Sequence, residues 1–209
     1  MNNLQELVMQ VPACEGCQLG IACSHKAVDN KALDPKVFLI GGLPPADIQS
    51  GDLRSSQYAY RILWALADWG IPSSAVYFTS ITKCSGQPDY EQMRTCMGWL
   101  SGEVRAARPT LTVTTDLFAF EVLTGQKDWP PLGKPISCTN EMVKDWISRV
   151  WGVLPEQTTA LWRLAWHKIS QELSRLNVLS DKPIWKPPEK GSDIAKFEYL
   201  WRKREIQSA

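Results

Sequence analysis

The sequence has almost no excess charge of either sign. Over 209 residues, 23 Lys and Arg stand against 22 Asp and Glu, a formal net charge of +1. A bulk positive field of the kind that attracts nucleic acid is excluded, so any such surface must be a local patch. Long apolar runs are also missing: no stretch approaches the roughly 20 residues needed to cross a bilayer. Asn2, Asn3, Gln5 and Glu6 supply no basic segment of the kind that opens a secretory signal. These absences predict a cytoplasmic protein with no membrane contact. Internal repeats and low-complexity tracts are absent too, and histidine is scarce, with only His25 and His167.

What is present is a globular composition, 44% hydrophobic and 22% charged, long enough for one domain with a sizeable core, or for one domain and an extension. Ten tryptophans are many for this length; they are expected to fill the core or an interface, where large aromatic area contributes most. In a reducing compartment, the six cysteines favour metal ligation over a disulfide framework. Four of them form a pattern that opens with a tight pair, Cys14-Glu15-Gly16-Cys17, and closes with two single residues, Cys84 and Cys96. A 4Fe-4S cluster needs four thiolates from different directions; a Cys-x-x-Cys turn supplies two, and distant segments must fold back to supply the rest. Zinc, the alternative, usually takes two close pairs, whereas a partly helical segment separates Cys84 from Cys96. Cys23 is near enough in sequence to replace one ligand, or is a plain buried thiol. Cys138 has no companion and reads as a core residue.

Leu4, Leu7, Val8 and Val11 fall at helical spacing, and Pro12 ends that helix before the cysteine turn. Residues 37–40 are a short apolar run stopping at Gly41-Gly42, as a buried strand entering a loop does. Residues 56–69 read as a helix with Ile62, Leu63, Leu66 and Trp69 on one face and Gly70 as its stop. A second strand begins at Val76 and runs through Ile81 towards Lys83 and Cys84. Residues 90–107 read as helix, although Gly98 and Gly102 weaken it. Residues 110–115 form a third strand, and a helix from Phe118 to Leu123 ends at Gly125. Strands alternating with helices predict an α/β, three-layer domain with a central, mostly parallel sheet. Function is then expected in the loops at the C-terminal ends of the strands. That domain is assigned to residues 1–180. Residues 181–209 read as a linker rich in Pro and Lys followed by a short helix, capped by Ser192 or Asp193, with Ile194, Phe197, Leu200 and Trp201 on one face.

Taken in order, these segments resemble the family 4 uracil-DNA glycosylases, the iron–sulfur branch of that superfamily, from Cys14 to about Leu176. Cys14-x-x-Cys17-x-Leu19 is similar to the family's opening motif, and residues 37–41 to the strand before its water-activating loop. Residues 51–70 are similar in length to a segment that begins Gly-x-Pro-Phe and continues into a helix. Val76-Tyr77-Phe78-Thr79 through Lys83-Cys84 resembles the strand leading to the third cysteine. Cys96, Leu100 and Pro109 keep the spacing around the fourth, and Leu123-Thr124-Gly125 closes the next helix.

The resemblance implies a pocket that flips a base out of the stack, holds it, and stabilises charge as the glycosidic bond breaks. The residues for that chemistry are not at the matching positions. Where the family carries an acidic Gly-Glu-Ala-Pro-Gly loop, this chain has Gly41-Gly42-Leu43-Pro44-Pro45, with Asp47 the next carboxylate. The stacking aromatic falls at Arg54 and the uracil-reading asparagine at Ser80. The late His-Pro-Ser motif falls near Leu154-Pro155-Glu156, and His167 comes only later, on the last helix of the fold. The segment between Cys84 and Cys96 is short and lacks the family's Arg-Pro-Pro and Asn-Arg features.

The expectation is a catalytically degenerate, cluster-bearing relative that binds nucleic acid or scaffolds a DNA-processing complex. Cys14, Cys17, Cys84 and Cys96 are the expected metal ligands; Arg54, Ser80, Lys83 and Arg94 are the expected contacts to DNA or another nucleic acid. Phe197, Leu200 and Trp201 are candidate anchors for a protein partner. The alternative is an active glycosylase with relocated residues, for which Asp47 and His167 are the weak catalytic candidates.

Overall fold

Strand β1 (Val37–Gly41) is apolar without alternation, and its first four residues are all buried, the pattern of a strand covered on both faces. In the computed structural model, which describes residues 3–32, 35–48, 51–68, 71–128, 134–153 and 159–176, β1 lies at the middle of the sheet's parallel part. It pairs in parallel with β2 (Val76–Ser80), from Val37 opposite Val76 to Gly41 opposite Ser80, and with β3 (Leu111–Thr114). β3 pairs in parallel with β5 (Arg149–Gly152), and the short β4 (Ile136–Ser137) closes the sheet antiparallel to β5. The order is β2-β1-β3-β5-β4. This is a mixed, mostly parallel sheet in an α/β fold, as expected.

Pleating divides the strands' apolar residues between two cores. On one face, Val37, Leu39, Val76, Phe78, Leu111 and Val113 pack with Ala59, Ile62 and Leu66 of α3 (Gln57–Asp68) and with Trp166, Ile169 and Leu173 of α6 (Thr159–Arg175). On the other face, Phe38, Ile40, Tyr77 and Val150 meet three helices: α1 (Asn3–Gln10) through Leu4 and Val8, α4 (Tyr90–Ala107) through Met97, Leu100 and Val104, and α5 (Leu117–Thr124) through Phe120 and Leu123. A short α2 (Gln18–Ala22) carries the chain away from the first cysteine pair.

Local chemistry sets the ends of these helices. Pro12 sits in a 3-10 turn (Val11–Ala13) that follows α1. Asp89 and Gln92 form a reciprocal capping box at the start of α4. Asp116 caps α5 at its start, and Gly125 closes it in the left-handed region with φ 71°. Helix α4 runs through both glycines: a Cβ at Gly102 would press on Leu7 of α1 at 2.8 Å, so the missing side chain lets the two helices close.

Three features depart from the sequence reading. β2 ends at Ser80 rather than at Ile81; Ile81 N and Thr82 N still donate to Gly41 O at 2.7 Å and Gly42 O at 3.2 Å before the chain enters the cysteine region. β4 and β5 were not anticipated; β5 carries only Val150 and Trp151 as buried apolar residues, too few to signal a strand. α2 is a five-residue turn held by a sulfur cap. Trp69, Gly70, Leu154, Pro155, Glu156, the 181–192 segment and Phe197, Leu200 and Trp201 lie outside the described residues. No helix among the described residues is long and apolar enough to cross a membrane.

Candidate functional site

Two neighbouring regions lie beyond the C-terminal end of β2: a face built of cysteines and a pocket. The first brings together segments distant in sequence. Cys14 ends the 3-10 turn, and its Sγ accepts from Trp99 Nε1 of α4 at 3.3 Å. Cys17 caps α2 through its sulfur, which accepts from Gly20 N at 3.3 Å. Gly16 between them packs flat against α4, since a Cβ there would come within 3.2 Å of Thr95 Cγ2. Cys96, buried on α4, lies within electrostatic reach of Lys83, Cys17 and Cys14. Cys84 is buried after β2, within electrostatic reach of Cys96 and of Cys23, whose thiol donates to His25 O at 3.1 Å.

Burial is the main cause that pushes the Cys84 thiol up to about 12, and the facing thiols of Cys23 and Cys96 add to it. The Cys96 thiol is raised chiefly by burial too, with the neighbouring thiols adding and Lys83 opposing. These are sulfurs set against one another with N–H groups directed at two of them, Cys14 and Cys17. Among the described residues, no group of three or more His, Cys, Asp or Glu side chains is placed to hold a metal ion. Cys138 stands apart, half-buried, its thiol donating to Leu123 O at 3.2 Å.

The pocket is a cavity of about 190 Å³ across the ends of β1, β2 and β3, where ligands of open α/β sheets bind. Leu39, Leu43, Leu53, Ala59 and Phe78 form its apolar walls, and Ser56, Tyr58, Thr79, Ser80, Thr115 and Asp116 its polar lining. A second cavity of about 350 Å³, bordered by Cys23, His25, Ile48 and Ser85, shares Pro45 with the first. Asp116 is the pocket's carboxylate. Its Oδ2 accepts from Gly42 N at 2.5 Å and its Oδ1 from Ala119 N at 2.8 Å. Burial is the main cause that holds the Tyr58 hydroxyl protonated well above its ordinary range, and the Asp116 carboxylate adds to it.

The loop after β1 has no room for the acid that the resemblance would place there. A Cβ at Gly42 would overlap Phe118 Cδ1 and lie 2.9 Å from Asp116 Oδ1. Asp47, further along that loop, is exposed and accepts from Gln57 N at 2.8 Å, which caps α3. His167 lies on α6, its Nε2 3.0 Å from Gln171 Nε2, and does not line the pocket.

Of the four residues expected to contact nucleic acid, Ser80 lines the pocket and Arg94 is exposed on α4. The other two face inward. Arg54 is only 7% exposed along its side chain, which pairs with Asp29 at 2.7 Å and donates to Ser73 O and Val76 O. Asp29 in turn accepts from Phe78 N at 3.0 Å, so this pair braces β2 from outside the ladder. Lys83 is buried as deeply and pairs with Glu103 of α4 at 2.9 Å. It also donates to Thr79 Oγ1 and, at 3.2 Å, to Ser80 O. Charge on a loop next to a cysteine motif read as phosphate-seeking; its burial could not be seen without knowing that α4 brings Glu103 underneath.

Asp116, Tyr58 and Thr115 were missed by the sequence reading. The signal for Asp116 was present: an Asp directly after a strand and ahead of an apolar helix is a capping position at the end of the sheet where ligands bind. No family model matches this chain, and no curated protein matches it.

Proposed function

We propose that the chain is a cluster-bearing domain resembling the family 4 uracil-DNA glycosylases, acting as a nucleic-acid-binding or scaffolding subunit in DNA processing and taking a base into its pocket without excising it. The observation that carries this reading is the closure of the loop after β1, where Phe118 and Asp116 fill the space that a side chain at position 42 would need. A glycosylase of this type needs a carboxylate aimed at water or at the developing charge. Asp47 is instead engaged in capping a helix, and Asp116 holds two main-chain N–H groups.

Cys14, Cys17, Cys84 and Cys96 would hold a 4Fe-4S cluster, with Cys23, within electrostatic reach of Cys84, as a substitute ligand and zinc as the alternative metal. A multi-iron cluster binds each thiolate at a different iron, so its cysteines need not converge on one point as the ligands of a single ion must. The N–H groups directed at Cys14 and Cys17 fit thiolate sulfur, whose charge such bonds stabilise. The cluster's part here is to tie the N-terminal turn to β2 and α4.

The position of Asp116 supports a second reading, an active glycosylase with a relocated acid. An assay of uracil release from single- and double-stranded DNA, run beside salt-dependent DNA binding, separates the two. Binding without release supports the binding protein; release that disappears in a folded Asp116→Ala variant overturns it. Anaerobic purification should yield iron and sulfide in equal amounts, lost in Cys96→Ser; zinc alone would overturn the cluster.

A further inference from the structure

Cys23 is the cysteine that the four-ligand set leaves over, and its segment is held against the residues around Cys84. Ala27 N donates to Lys83 O at 2.6 Å, which pins the end of the 23–27 segment beside the residue before Cys84. On the other side of Cys84, Ser85 borders the same cavity of about 350 Å³ as Cys23. A Cβ at Gly86 would meet Leu19 Cδ1 at 3.0 Å, so α2, which ends just before Cys23, packs on this stretch too. Cys23 and Cys84 lie within electrostatic reach of each other as a result. The two sulfurs differ in access. Cys84 is buried, whereas Cys23 is half-buried and borders the cavity. Lys26 Nζ donates to Cys23 O at 3.0 Å and sets a cation beside that residue. A partly exposed sulfur in an electropositive setting is the kind an oxidant reaches first. Cys14 and Cys17 are half-buried as well, but each of their sulfurs already accepts an N–H. The Cys23 thiol donates instead, to His25 O at 3.1 Å.

We propose that Cys23 is a site of reversible oxidation by peroxide, which it resolves by forming a disulfide with Cys84. The Cys23 sulfur attacks one oxygen of hydrogen peroxide and the O–O bond breaks. Cys23 becomes a sulfenic acid, and the other oxygen leaves as water with the thiol's proton. The Cys84 sulfur then attacks the Cys23 sulfur. The S–S bond forms as the S–O bond breaks, and the hydroxyl leaves as a second water with the Cys84 proton. Two thiols thus give up two electrons, and one peroxide takes them. A free thiol reverses the bond by exchange. Burial keeps peroxide from Cys84 itself, which fits it to resolve rather than to sense. The bond removes Cys84 from the ligand set, a consequence that rests on the cluster reading; the bond itself does not.

The test treats the full chain, reduced and then freed of reductant, with one equivalent of hydrogen peroxide. The protein is then alkylated in denaturant, cut with trypsin and read by mass spectrometry. No Lys or Arg precedes Lys26, so residues 1–26 carry Cys14, Cys17 and Cys23 together, while residues 84–94 carry Cys84 alone. These two peptides should be joined by one disulfide that is lost on reduction. The link should be absent in Cys23→Ser and persist in Cys17→Ser. A link that survives in Cys23→Ser overturns the proposal, because another sulfur then reaches Cys84. A Cys14–Cys17 bond with Cys84 still alkylated overturns it too, as does Cys23 carried to sulfinic acid with no link. Iron and sulfide measured on the same preparation read the cluster separately. Where iron is bound, the link should appear only as iron leaves; a link formed with iron retained overturns the withdrawal of Cys84 and leaves the oxidation site standing.

Discussion

The cysteine face and the pocket adjoin at Lys83, which is followed directly by Cys84 while its ammonium reaches Thr79 and Ser80 of the pocket wall. The cysteine face is built on positions along the chain: a turn, a sulfur-capped helix and one residue on α4, each serviceable if a sulfur is present and its neighbour is small. The pocket is built on mutual packing, in which Asp116, Phe118 and Gly42 constrain one another. A site of the first kind survives as spacing. A site of the second kind changes its chemistry when one neighbour changes, because the vacated space is filled at once.

The strongest way to test whether the two regions depend on each other is to break the ion pair between them. Glu103→Ala leaves the Lys83 ammonium buried without its partner and should cost about 3–5 kcal/mol in denaturant unfolding. A Lys83→Met, Glu103→Leu double variant should regain most of that loss, since a buried pair is often no more stabilising than well-packed apolar residues. A loss below about 1 kcal/mol for the single variant would mean that water reaches Lys83 and that the two regions are not joined through it.

A smaller effect distinguishes how the two regions tolerate a methyl group. Gly42→Ala must displace an aromatic ring and a doubly bonded carboxylate, and should cost about 1–3 kcal/mol. Phe118→Ala should relieve part of that cost, a coupling of at least about 0.5 kcal/mol in a double-mutant cycle. Gly16→Ala meets only the end of the Thr95 side chain at 3.2 Å and should cost less than Gly42→Ala. Equal costs at the two glycines would remove the contrast between spacing and packing.

This contrast also explains what could be read from the sequence. The apolar run of β1, the Asp89 cap ahead of α4 and Gly125 after α5 are local signals, and the α/β architecture follows from them. Ser80 was found in the pocket by counting along the chain. Arg54 and Lys83 were read as outward cations because the partners that turn them inward, Asp29 and Glu103, lie 25 and 20 residues away. Nothing local in the sequence marks such a pairing. Asp116 was missed for the opposite reason: its capping role is local, and that role gave no hint that the carboxylate also reaches across to Gly42.

Raising the pH tests the layer beneath the pocket. Tyr77 is held protonated well above 10, chiefly by burial and then by the Glu103 carboxylate, and Tyr58 chiefly by burial. The unfolded chain releases these protons near pH 10 and the folded chain keeps them, so above that pH the folded state binds more protons and stability falls as pH rises. Tyrosinate absorbance should therefore show two late groups whose ionisation coincides with loss of tertiary structure. Tyr77→Phe should remove one of them and flatten the alkaline slope. Early, reversible titration of all tyrosines would mean that the region under β2 is open to solvent.

The smallest expected effect lies within a single helix. Gly98 and Gly102 are one turn apart on α4, the first exposed and the second against α1, and each lowers helix propensity by about 1 kcal/mol relative to Ala. A Cβ at Gly98 meets nothing within 4 Å, so Gly98→Ala should stabilise the protein by about 0.5–1 kcal/mol. At Gly102 the same methyl would press on Leu7 Cδ1 at 2.8 Å, and the gain in propensity is offset by displacing α1, which precedes Cys14 and Cys17. Gly102→Ala should therefore give no net stabilisation, and it should loosen the cysteine turn, read as faster reaction of the Cys14 and Cys17 thiols with a thiol reagent. If both variants stabilised equally and protected the two thiols equally well, α1 would not be the element that presses the cysteine turn onto α4.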